Sequence, residues 1–403
     1  MTSSRREHRR AFLLLFLSLV CIGMGQSMLF SILPPAARAL GITPFQISTV
    51  FAVSASIWVF VSPWWGRMSD VWGRRPVILV GLLGYALSMS LLGAVIRLGH
   101  DGLLSAAAVY PLMIASRSLF ALLGSGTGPA SQAYVADRTT IQERAAAVAF
   151  MNAGMGLGET VGPGAGAILV AAGLTAPLHL SAILAATSAF AIWRLLPESG
   201  PPHQHAATRA VRLRANDTRV VPFLIVGAAL QAVRAITTIT LALFLQDTLG
   251  LTAEATVRRA SLGFVVLAMS SLFAQLIVIQ RLRPTSRQML SAGLPLMWLA
   301  CGLLAVAGGY GTVLLALAAL GIGMGLVRPG SAAAASISVE PEEQGGVAGL
   351  LGGVTVVGNV FGPMLATTLY TLTPRAPYLL NAVLMSAVLV FAFRSRRVRQ
   401  LRA

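Results

Sequence analysis

The sequence predicts an all-α integral membrane protein of twelve transmembrane helices arranged as two pseudo-symmetric six-helix halves. Three observations carry this reading. The 403 residues are 56% hydrophobic and only 11% charged, with a mean hydropathy of +0.77; a soluble chain is about 25% charged, so a water-facing surface cannot be assembled here. Apolar stretches near the ~20 residues that cross a bilayer follow one another almost without a break. The chain also resembles itself at an offset of 200 residues.

Reading apolar runs against charged or Pro/Gly-rich breaks places six spans at 11–33, 44–65, 76–98, 105–131, 145–171 and 176–196. Six more fall at 220–245, 257–280, 288–308, 311–336, 346–372 and 376–393. The Pro-, His- and Arg-rich segment 197–219 is the longest polar stretch and separates an N-terminal half, 1–196, from a C-terminal half, 220–403. The run from Ala11 is long enough to span and lacks a clear cleavage site, so it reads as a helix and not as a signal peptide.

The net charge of +17 comes with 30 basic residues, all arginine. Counted in alternate loops, 22 lie on the side of both termini, 5 on the other side, and Arg117, Arg234 and Arg328 fall within spans. Such a bias predicts both termini and the linker in the cytoplasm, and the membrane is expected to be a bacterial-type inner (plasma) membrane. It accounts for the positive charge without nucleic acid. Cys21 and Cys301 lie in apolar stretches and read as small buried hydrophobes. His203 and His205 lack further ligands for a metal, and no phosphate-binding Gly-x-x-x-x-Gly-Lys-Ser/Thr loop is present. No cofactor and no enzymatic constellation is expected.

The repeat is gapless. Pro129, Glu143, Gly158, Gly162 and Pro163 meet Pro329, Glu343, Gly358, Gly362 and Pro363. Small-residue helices can generate some of this by composition alone, but coincident prolines, glycines and an acidic loop fit a parallel duplication better. Such symmetry implies a substrate site at mid-membrane between the halves.

Three motifs follow. The loop after the second span reads Gly66-Arg67-Met68-Ser69-Asp70-Val71-Trp72-Gly73-Arg74-Arg75-Pro76. Gly66 and Gly73 suit a tight reversal; Asp70 suits a positive helix N-terminus, that of span eleven near Gly345; Arg74 can meet Asp137 at the end of span four. The fourth span carries Arg117, then Gly124-Ser125-Gly126-Thr127-Gly128-Pro129 and Ala133-Tyr134-Val135-Ala136-Asp137. The fifth carries Gly158-Glu159-Thr160-Val161-Gly162-Pro163-Gly164-Ala165-Gly166, with glycines every four residues for close helix contact.

Together these resemble the Gly-x-x-x-Asp-x-x-Gly-Arg-Arg/Lys turn, the Arg-bearing fourth helix and the Gly-x-x-x-Gly-Pro-x-x-Gly-Gly motif of the major facilitator superfamily, specifically its twelve-span drug:proton antiporters, including tetracycline exporters. Ala121 and Ala167 stand where that pattern has glycine. The resemblance implies a cytoplasmic gate at Gly66, Asp70, Gly73, Arg74, Arg75 and Asp137. It implies a role in proton transfer for Arg117, and export as the direction from Gly158, Gly162, Pro163 and Gly166. Arg117 has a structural alternative, pinning neighbouring helices through carbonyl groups.

Glu159 is the acidic residue deepest in a span, and burial or a basic partner would tune it as a proton carrier. An Arg117–Glu159 pair is geometrically reasonable; a permanently paired structural glutamate is the alternative. The family's acidic residue on span one is replaced by Gln26, and the repeat counterpart of Glu159 is Asn359. Gln26, Gln231, Arg234, Arg328 and Asn359 are candidate substrate-cavity residues. Arginines at 117, 234 and 328 against one glutamate favour an anionic or zwitterionic substrate.

The expected function is proton-coupled efflux of a small amphipathic molecule or drug by alternating access. The proton gradient is the energy source, and the partners are a small-molecule substrate, protons and the lipid bilayer, in a chain able to work as a monomer. A dedicated exporter of a metabolite, siderophore or sugar, an uptake symporter, and a non-transporting sensor or scaffold remain as alternatives.

Overall fold

A computed structural model describes residues 2–197, 216–340, 343–395 and 398. Of the expected linker 197–219, residues 198–215 lie outside the described residues. Among the described residues twelve long helices follow one another: α1 (Thr2–Ala39), α2 (Pro44–Trp72), α3 (Arg74–His100), α4 in two pieces (Ala106–Gly124 and Thr127–Ala136), α5 (Ile141–Leu169) and α6 (Ala176–Leu195). Then come α7 (Val221–Leu249), α8 (Ala253–Leu282), α9 (Ser286–Val306), α10 (Tyr310–Ile337), α11 (Gln344–Tyr370) and α12 (Ala376–Arg394). Eleven of them are long and apolar enough among the described residues to cross a membrane, and α11, of 27 residues, holds the remaining place. Most ranges read from hydropathy alone stop short of the helix at one end or both, since amphipathic ends continue the backbone ladder past the apolar core, while those of α6, α9 and α11 run one or two residues past the last helical residue.

Two compact units divide the chain: Met1–Gln204 with Ala253–Ser261, and His205–Thr252 with Leu262–Ala403. In the first, α1 packs along α5 and α6, α3 along α4 and α6, and α2 along α4. The second repeats these pairings six helices on: α7 with α11 and α12, α9 with α10 and α12. The 200-residue repeat is therefore a repeat of packing.

Local sequence explains the joints. Thr43 and Thr285 open α2 and α9 with reciprocal capping boxes to Gln46 and Gln288. Between α2 and α3 the chain reverses on a single residue, Gly73, at φ 95°, a conformation that favours glycine. Gly66 takes no part in that reversal, contrary to expectation. It lies inside α2, seven residues before the turn, with open space where a Cβ would stand; a single positive-φ residue is enough to turn the chain.

α4 breaks at Ser125–Gly126 because Pro129 has no N–H for the carbonyl of Ser125. Neighbouring α2 supplies the missing donors: Ser62 Oγ bonds the Ser125 carbonyl at 3.2 Å, and Trp65 Nε1 bonds that of Leu122. Large apolar side chains cover the outside, with Phe60 81%, Ile168 77% and Val383 66% exposed, a surface that water does not tolerate on this scale. Trp64, Trp65 and Trp72 cluster edge-to-face at the α2–α3 end, with centroids 4.9–6.4 Å apart, as aromatic residues do at a membrane interface.

Candidate functional site

Three constellations occupy the first unit. The first lies at the α2–α3 turn. Arg74, the first residue of α3, is 8% exposed. Its Nε donates to Asp137 Oδ2 at 3.1 Å, and its Nη1 to Ser69 Oγ at 2.7 Å and to Asp70 Oδ1. One guanidinium thus ties the ends of α2, α3 and α4. Arg75 donates to the carbonyl of Trp193 at the end of α6, so four helix ends converge there. The expected Arg74–Asp137 contact is present. Asp70 is engaged by Arg74, four residues along the same turn.

The second constellation is the α1–α5 seam. A Cβ on Gly154 would stand 2.9 Å from the Phe16 carbonyl oxygen, on Gly158 2.2 Å from that of Val20, and on Gly162 2.3 Å from that of Met24. Gly166 faces Met28 with ordinary spacing, and α1 answers with Gly23, whose Cβ would meet the Met155 carbonyl at 2.4 Å. Backbone meets backbone along this line, and only glycine permits it. The second unit has a looser copy, Gly358 on Gln231 and Gly362 on Ala235. α5 runs helically through Pro163, which offers no N–H to the carbonyl of Glu159. The Glu159 side chain sits at the middle of its span, beside the seam and exposed.

The third constellation centres on Arg117, 4% exposed near the middle of α4. Its Nη2 donates to Gln26 Oε1 at 3.0 Å. Its guanidinium lies 5.4 Å from the Phe120 ring centre, and Phe120 packs against Tyr85 and Trp58. Nε and Nη1 are buried without a hydrogen-bond partner. The anticipated Arg117–Glu159 pair is corrected: no hydrogen bond or ion pair joins them among the described residues. The seam turns Gly158 and Gly162 onto α1 and leaves Glu159 off that face, whereas Arg117 reaches Gln26 on α1.

The remaining candidates disperse. Arg234 is half-buried in α7, Arg328 exposed on α10, and Gln231 packs beneath Gly358. The side chain of Asn359 lies outside the described residues. Sequence reasoning passed over Arg219, which grips Asp217 and, through Nη1 and Nη2 at 2.9 Å each, both carboxylate oxygens of Glu343 at the start of α11. That pairing pulls the Glu343 carboxyl below its ordinary range and raises Arg219. The repeat had flagged Glu343 through its match to Glu143, but nothing in sequence linked it to Arg219, 124 residues away.

Comparison with known proteins follows the same line. The family model of the Major Facilitator Superfamily matches residues 15–306 and 285–403. The chain is 26% identical over 398 residues to Multidrug resistance protein 2 of Bacillus subtilis, covering 96% of this chain and 95% of that one. It is 27% identical over 333 residues to the class C tetracycline resistance protein of Escherichia coli, covering 80% and 79%. Among solved structures, a bacterial homologue of the human lysosomal transporter Spinster, inward-facing and occupied, aligns over 98% of this chain and 97% of its own with a TM-score of 0.75 at 13% identity. Eleven membrane-length apolar helices among the described residues, packing repeated six helices apart, the Gly73–Arg74 turn and the family match make this chain a membrane transporter of the Major Facilitator Superfamily.

Proposed function

We propose that this transporter exports a small amphipathic molecule from the cytoplasm in exchange for protons, by alternating access. The observation that carries the reading is Glu159: a carboxylate at the centre of a span, exposed beside a glycine seam where two helix backbones touch. A carboxylate so placed is the candidate proton carrier, and the glycine face of α5 puts no side chain of its own in the way of movement along α1. Pro163 adds freedom by leaving the Glu159 carbonyl without its helix donor. Similarity to multidrug and tetracycline resistance proteins supports outward drug transport.

In this reading Gly66, Asp70, Gly73, Arg74, Arg75 and Asp137 form the cytoplasmic latch, with both termini and the linker on that side. Gly158, Gly162, Pro163 and Gly166 form the moving seam. Arg117 holds α4 to α1 through Gln26, and Gln231, Arg234, Arg328 and Asn359 are the second half's candidate substrate contacts. One chain carries both halves and acts as a monomer.

Substrate-triggered proton movement in proteoliposomes tests this, with wild type beside Glu159→Gln. Proton flux that requires both substrate and Glu159 supports antiport with Glu159 as carrier. Coupled flux that survives the substitution removes Glu159 from that role, and substrate entering with protons reverses the direction.

A further inference from the structure

A guanidinium within the hydrocarbon span of a membrane protein is costly and is normally met by a carboxylate or by backbone carbonyl groups. Among the described residues Arg117 meets neither. Its bonded partner is Gln26, an amide that brings an acceptor oxygen but no charge. Nε and Nη1, both buried, have no hydrogen-bond partner. The groups packed around it are Phe120, with Tyr85 and Trp58 against that ring, while Ser54 uses its hydroxyl on the Arg117 carbonyl and not on the guanidinium. An aromatic face weakly compensates a cation, but it takes no N–H bond in the guanidinium plane. The site thus holds a positive charge that no counter-charge meets among the described residues.

From this geometry we infer that Arg117 anchors an anionic group, a carboxylate or phosphonate, on the transported molecule, and that Gln26 is its movable cover. Planar guanidinium donors match such oxyanions in geometry and give charge-assisted bonds. Gln26 is half-buried while Arg117 is buried, so rotation of the Gln26 amide opens the guanidinium from the α1 side without moving a helix. Trp58, also half-buried, packs 5.1 Å from the Phe120 ring that the guanidinium faces, and these rings suit an anion carried on an aromatic or other apolar body. The inference rests on the transport reading for its biological meaning and names the substrate class within it: organic anions.

The test is thermal melting of the purified full chain with benzoate or benzamide, near-isosteres that differ in charge, on wild type and on Gln26→Glu. Glutamate at this position places a carboxylate where the anion is proposed to bind. Benzoate is expected to raise the melting temperature of wild type and benzamide not. Gln26→Glu is expected to melt higher than wild type without any ligand, and its apparent affinity for benzoate to fall by more than about tenfold, the worth of a lost charge-assisted bond. Equal shifts with both probes, or none with either, would overturn the proposal and mean that water satisfies Nε and Nη1. A benzoate response unchanged in Gln26→Glu would overturn it too, by placing the anion elsewhere. Melting needs no flux, so its failure leaves proton-coupled export standing, and loss of the export reading leaves the anion site testable.

Discussion

Ser62 on α2 donates a 3.2 Å hydrogen bond to the carbonyl of Ser125 on α4, filling the place of the N–H that Pro129 lacks. A break in one helix is thereby turned into a fastening between two, and it sets the course of the second piece of α4 toward Asp137.

Ser62→Ala should destabilise the protein by about 1 kcal/mol, the net worth of one such bond. In a Pro129→Ala background, where residue 129 can serve the Ser125 carbonyl itself, the same substitution should cost less than half as much. A double-mutant cycle read by thermal melting checks this; equal costs in both backgrounds would show that Ser62 acts only through packing.

Arg74→Lys should lower the melting temperature nearly as much as Arg74→Ala, by the equivalent of roughly 2–3 kcal/mol. Three oxygens on two helices are reached by Nε and Nη1 of a planar group, and an ammonium cannot occupy both directions. Full retention of stability in the lysine variant would refute the geometric account.

Along the seam, Gly158→Ala should cost at least about 2 kcal/mol through overpacking, because the added Cβ would stand 2.2 Å from a backbone oxygen of α1. Gly156→Ala, two residues earlier with nothing within 4 Å, should be neutral or slightly stabilising, as alanine is the better helix former. Comparable losses at both positions would argue against a backbone seam.

Acid should loosen the second unit through Glu343. Its folded pKa is depressed by Arg219, so the pair's contribution is fully present above the unfolded value, about 4.3. It is lost as pH falls through the lower folded value. Arg219, raised by the same pair, stays charged throughout. Hydrogen-exchange protection at the start of α11, corrected for the intrinsic pH dependence of amide exchange, should therefore fall below about pH 4.3 in wild type. In Glu343→Gln that protection should already be low at neutral pH and no longer vary over that range.

The sequence by itself determined everything that rests on local chemistry and period. Spans of apolar residues read correctly because a bilayer imposes one length on every helix. The repeat read correctly because Pro129, Gly158, Gly162 and their partners 200 residues on keep the same helix geometry. Arg74–Asp137 was legible because two helix ends flank a known turn. What only the tertiary structure decided is which of the available partners each polar group meets. Glu159 was the expected partner of Arg117, but the rotation that seats Gly158 and Gly162 on α1 turns Glu159 away and leaves Arg117 with Gln26. Glu343 found Arg219 through the packing of α7 on α11, a contact that no spacing announces. Gly66 and Gly73 both looked able to turn the chain, and the residue that takes positive φ was settled by where α2 stops packing. Hydrophobic pattern fixes which residues are helical, but the azimuth of each helix, and hence which polar groups meet inside, is set by side-chain packing between helices distant in sequence.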